Sequence, residues 1–66
     1  MTRQITDDET TVLEVIMYLQ EKGKLSFSED IKNKCVLTQD EVEIALGSLK
    51  MSGDVEISPR GWVATA

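Results

Sequence analysis

The sequence predicts a mainly α-helical domain closed by a small C-terminal β-hairpin. Three observations carry that prediction. Apolar residues recur at helical spacing in two long stretches, Val12, Val15, Ile16, Leu19 and then Val42, Ala45, Leu46, Leu49. Three segments set a hydroxyl residue three positions before a glutamate, the pattern of a capping box: Thr6 with Glu9, Ser26 with Glu29, and Thr38 with Glu41. The last dozen residues read as two short strands around Ser58-Pro59-Arg60-Gly61, where proline and glycine occupy turn positions that suit them.

Taken in order, residues Met1 to Ile5 read as a short extended lead-in. Thr6 caps a first helix from Asp7 to about Lys22, and Asp7 and Asp8 sit where the helix dipole favours negative charge. Its buried stripe is Val12, Val15, Ile16 and Leu19, with Leu13 beside it and Tyr18 at the edge. Gly23 supplies the left-handed stop. Lys24-Leu25-Ser26 is long enough only for a bridge-like strand. A second helix follows, capped by Ser26 or by Ser28 and ending near Lys34 to Val36. Phe27, Ile31 and Cys35, spaced by four, form its inner face.

Thr38 caps a third helix that runs to about Ser52, with Gly53 as its stop. Val55-Glu56-Ile57 alternates as a strand, and Trp62 to Thr65 is the returning strand. Two strands alone are marginally stable. Trp62 is expected to anchor the hairpin against a helix. The order is helix, strand, helix, helix, strand, strand, in one domain spanning residues 1–66.

With 66 residues the chain has room for one compact core. A domain of this size buries only about 60% of the surface its unfolded chain exposes, so every core side chain counts. The apolar share of 41% with 29% charged residues is that of a globular domain rather than a disordered tail. The net charge of −5 opposes non-specific attraction to phosphate backbones or anionic membranes, though a local basic patch remains compatible with it.

One cysteine and no histidine exclude an internal disulfide and leave too few ligands for a zinc cluster. Cys35 is expected as a small buried apolar residue, and Asp7, Asp8 and Glu9 as helix-capping groups rather than metal ligands. No cofactor is expected. With no histidine, no nucleophile beside a base and no glycine-rich phosphate loop, the chain does not read as an enzyme. No leader and no membrane-length apolar run is visible, so the expectation is an intracellular, cytoplasmic protein without membrane association.

The third helix raises the functional question. At 100° per residue, Val42, Ala45, Leu46 and Leu49 share one face. The opposite face carries Asp40, Glu43, Ile44, Gly47 and Met51. A mid-helix glycine costs about 1 kcal/mol relative to alanine. Ile44, Gly47 and Met51 lie on one line at spacings of three and four, and they suit a contact with another protein.

The pattern resembles the winged helix-turn-helix superfamily. Val15-Ile16 with Leu19 and Gly23 is similar to its first helix and stop. Ile31, Cys35, Leu37 and Thr38 look like its second helix, turn and next cap. Val42 to Leu49, then Gly53 and Val55, resemble its third helix entering the wing, and Gly61 falls where wings often carry glycine. The resemblance implies DNA binding, with the third helix in the major groove and the wing tip on the backbone or minor groove. The residues it places towards bases are Gln39, Asp40, Glu43, Ile44 and Gly47. Gln39 is the one good reader among them, by a bidentate contact to adenine. Lys32, Lys34, Lys50 and Arg60, with Lys22 and Lys24, would meet phosphates if folding gathers them.

Two functions follow as expectations. One is a DNA-binding or transcription-associated regulatory module with weak, salt-dependent affinity. The other is a protein-interaction module, self-associating as a homodimer in one form, that uses Asp40, Glu43, Ile44, Gly47 and Met51.

Overall fold

The computed structural model describes residues 7–65. The expected lead-in and the Thr6 cap lie outside the described residues. Three helices are followed by an antiparallel hairpin: α1 (Asp7–Glu21), α2 (Ser28–Asn33), α3 (Gln39–Met51), β1 (Val55–Ser58) and β2 (Gly61–Ala64). The helical class and the two-stranded hairpin match the expectation. The extra strand at 24–26 does not form. It is reduced to one residue, Ser26, in an isolated parallel bridge with Gly61.

Both long helices stop for the same local reason. At the end of α1, the Gly23 N–H donates to the Gln20 carbonyl and the Lys24 N–H to the Leu19 carbonyl, with Gly23 at φ +69°. At the end of α3, Gly53 (φ +80°) and Asp54 donate likewise to Lys50 and Leu49. In each case a glycine in the left-handed region lets the chain turn back and satisfy carbonyls that the helix leaves open. The start of α3 is a reciprocal box. The Glu41 N–H donates to Thr38 Oγ1 at 3.2 Å, and the Thr38 N–H donates to Glu41 Oε1 at 2.9 Å.

The second helix departs from expectation. Neither Ser26 nor Ser28 caps it. The cap position is Phe27, whose N–H donates to the Asp30 carboxylate at 3.1 Å. Ser26 is drawn away because its hydroxyl donates to the Trp62 carbonyl at 2.6 Å. The helix is six residues long and ends at Asn33, before Cys35. The expected inner face therefore divides. Ile31 is buried, Cys35 is half-buried against the core, and Phe27 is 40% exposed.

The core is Val12, Ile16 and Leu19 of α1, Ile31 of α2, Val42, Ala45, Leu46 and Leu49 of α3, and Val55 of β1. Leu13, Val15, Cys35, Leu37, Trp62 and Ala64 pack around it. α1 packs on α3 and on β2, while α2 packs on α3. Each fully buried Val, Leu or Ile contributes up to about 1.5–3 kcal/mol. Glu9 is nearly buried at 4% exposure, and the capping partner expected for it, Thr6, lies outside the described residues.

The hairpin pairs Val55 with Ala64, Glu56 with Val63, Ile57 with Trp62 and Ser58 with Gly61. Its two-residue tip is Pro59-Arg60. The expected alternation holds only at the start of β1. Val55 is buried beside the end of α3, but Ile57 is 53% exposed. The outer edge of β2 is held by two bonds. The Trp62 N–H donates to the Ser26 carbonyl at 2.8 Å, and the Ala64 N–H to Gln20 Oε1 at 2.8 Å.

Candidate binding surfaces

The faces of α3 divide as the helical spacing predicts. Val42, Ala45, Leu46 and Leu49 are all at most 2% exposed. Asp40, Glu43, Gly47 and Lys50 are exposed on the other side, with Ile44 at 70% and Met51 at 91%. Met51 therefore does not tuck beneath the hairpin. A Cβ added at Gly47 would meet nothing within 4 Å, so packing within the described residues gives no reason for glycine there. A shallow groove beside Ile44 is lined by Asp8, Glu9, Glu41, Ala45 and Ser48, which extends the acidic character of this side towards α1.

Gln39 is half-buried at the first position of α3. Its Nε2 donates to Ser28 Oγ at 3.5 Å, a long bond that ties the start of α3 to the start of α2. That contact occupies one of the two N–H donors of the amide. Around Gln39 the first turns of the two helices carry Glu29, Asp30, Asp40 and Glu41. The expected groove-reading end of α3 is thus mainly acidic.

The basic residues are only partly gathered. Lys34, the C-cap of α2, and Arg60 of the hairpin tip line one groove together with Lys24. Leu19, Gly23, Leu25, Asp30 and Asn33 complete its lining. Lys32 and Lys50 are exposed but do not line this groove. Arg60 does not simply project from the tip, since its Nη2 donates to the Gly23 carbonyl at 2.6 Å. That bond pins the hairpin to the end of α1 and satisfies a carbonyl there. Lys22 lies over the Tyr18 ring, with Nζ 5.8 Å from its centroid.

Two positions gained importance that spacing did not give them. Ser26 is buried and holds the hairpin through both its backbone and its hydroxyl. Its pairing with Trp62, 36 residues away, leaves no local signal. Val36, in the turn before α3, is 99% exposed. Its apolar neighbour Leu37 turns towards the core instead.

Among the described residues no group of three or more His, Cys, Asp or Glu side chains is placed to hold a metal ion. No described helix is long and apolar enough to cross a membrane. Comparison with protein-family models, with curated proteins and with solved structures finds no match to the chain.

Proposed function

We propose that this chain is a small regulatory binding module of winged helix-turn-helix architecture that meets its partner through protein contacts. The order of three helices and a hairpin, with the Ser26–Gly61 bridge in place of a first strand, supports the architecture. The architecture in turn implies a transcription-associated setting. The outward side of α3 carries the choice of partner. Ile44 and Met51 stand in solvent beside Asp40 and Glu43, while the gathered cations lie in a separate groove. Base edges in a major groove are read by Arg, Lys, Asn or Gln, and carboxylates there must approach the phosphates. Exposed apolar residues with a charged rim are instead the make-up of a protein contact.

A second reading, direct duplex binding, is favoured by the groove that joins Lys24, Lys34 and Arg60. Three phosphate contacts would give a slope of about −2.7 in log affinity against log salt. An amide chemical-shift titration with a generic duplex, at low and then moderate salt, separates the two readings. The protein-contact reading predicts no shifts along Gln39–Met51 at either salt. Salt-sensitive shifts spread over α2, α3 and the hairpin tip would replace it with the duplex reading. Arg60→Ala should weaken any duplex complex and leave a protein complex nearly unchanged, and Met51→Glu should do the reverse.

A further inference from the structure

We infer that the partner of this α3 face is a second copy of the chain, packed antiparallel across a two-fold axis at Gly47. The inference rests on the protein-contact reading above and names its partner. The outer side of α3 is self-complementary when reversed. Seen down the helix at 100° per residue, Ile44 and Met51 lie to one side of Gly47, and Glu43 and Lys50 lie to the other. A two-fold axis perpendicular to both helices reverses the direction of α3 and keeps each side on its own side.

At about 1.5 Å rise per residue, Ile44 lies about 4.5 Å before Gly47 and Met51 about 6 Å after it. The two-fold therefore sets Ile44 beside the partner copy's Met51, and the reverse pair forms by symmetry. On the opposite side Glu43 lies about 6 Å before Gly47 and Lys50 about 4.5 Å after it. Glu43 of each copy then meets Lys50 of the other. One operation places apolar on apolar and anion on cation at both ends of the contact.

Gly47 sits where the two helices cross. Among the described residues, nothing beyond its own stretch of helix lies within 4 Å of the place its Cβ would take. A missing side chain at that point lets two backbones approach closely, so the contact gives the glycine a role that packing inside one copy does not. All six residues are free for the contact, because Asp40, Glu43, Ile44, Gly47, Lys50 and Met51 are exposed.

Sedimentation equilibrium from micromolar to millimolar chain tests the inference. The average mass should rise from 7.4 kDa towards twice that value. Gly47→Arg should raise the dissociation constant at least about tenfold. It should also keep the helical circular-dichroism spectrum, since the site is open. Glu43→Lys alone and Lys50→Glu alone should each weaken the dimer, and the double exchange Glu43→Lys with Lys50→Glu should restore it. A chain that stays monomeric throughout overturns the inference, as does a dimer indifferent to Gly47→Arg or one that the double exchange fails to restore. A monomer that also shows no duplex-induced shifts sinks only the self-association and leaves the protein-contact reading standing. Duplex-induced shifts along α3 sink that reading itself.

Discussion

Gly61 crosses the backbone of Ser26 so closely that residue 61 has no room for a side chain. Gly61 is buried at φ +113°, and a Cβ there would come within 2.6 Å of the Ser26 carbonyl oxygen and of the Phe27 nitrogen. The bonds from Ser26 N–H to the Arg60 carbonyl and from Trp62 N–H to the Ser26 carbonyl straddle this crossing. Gly61→Ala adds both a clash with backbone and an unfavourable φ. It should lower stability by about 2–4 kcal/mol, measured by urea unfolding followed by circular dichroism.

Ser26→Ala probes the same joint more gently. The hydroxyl is buried and donates to the Trp62 carbonyl at 2.6 Å. Its removal leaves the backbone bridge intact but takes a donor from a half-buried carbonyl. A loss of about 1–2 kcal/mol is expected, with the Trp62 fluorescence of the folded state shifted by the change at its own backbone. An unchanged urea midpoint would mean that the bridge alone seats the hairpin.

Leu46 and Met51 sit on opposite sides of α3, and truncating or charging them should have opposite consequences. Leu46 is 1% exposed, so Leu46→Ala should cost about 2–5 kcal/mol. Met51 is 91% exposed, so Met51→Glu should change stability by no more than about 0.5 kcal/mol. Thermal unfolding of the two variants at low protein concentration compares them directly.

Gly47→Ala separates fold from contact. Alanine restores helix propensity at an open site and should stabilise the monomer by about 0.5–1 kcal/mol. A methyl group at the crossing should meanwhile weaken association. The variant should therefore be harder to unfold when dilute and less associated when concentrated, which a stability curve taken at two protein concentrations resolves.

The legible part of this fold was the part written in local spacing. Thr38 and Glu41 form the box that their separation of three predicts, and Gly23 and Gly53 end helices as glycines after an apolar stripe do. The inward face of α3 followed from periodicity alone, because a helix that packs on one side repeats its apolar residues at 3.6. What escaped depended on partners far along the chain. Ser26 looked like a helix cap because Glu29 follows it at the right distance. The Trp62 carbonyl outcompetes that role once the hairpin folds over it. Arg60 looked like a free probe at a tip, and the Gly23 carbonyl, 37 residues back, holds it instead. The same limit applies to the candidate surface. Ile44 and Met51 were placed correctly by angle, whereas the gathering of Lys24, Lys34 and Arg60, and the exclusion of Lys32 and Lys50 from their groove, depended on the tertiary path of the chain.

The most direct measurement is the methyl NMR spectrum of Ile44 and Met51 as the chain is concentrated. If α3 docks on a second copy, both signals should move together along one binding isotherm while the methyls of Val42 and Leu46 stay fixed. Ile44 and Met51 signals that hold still up to millimolar chain, beside α3 amides that respond to duplex at low salt, would contradict the account.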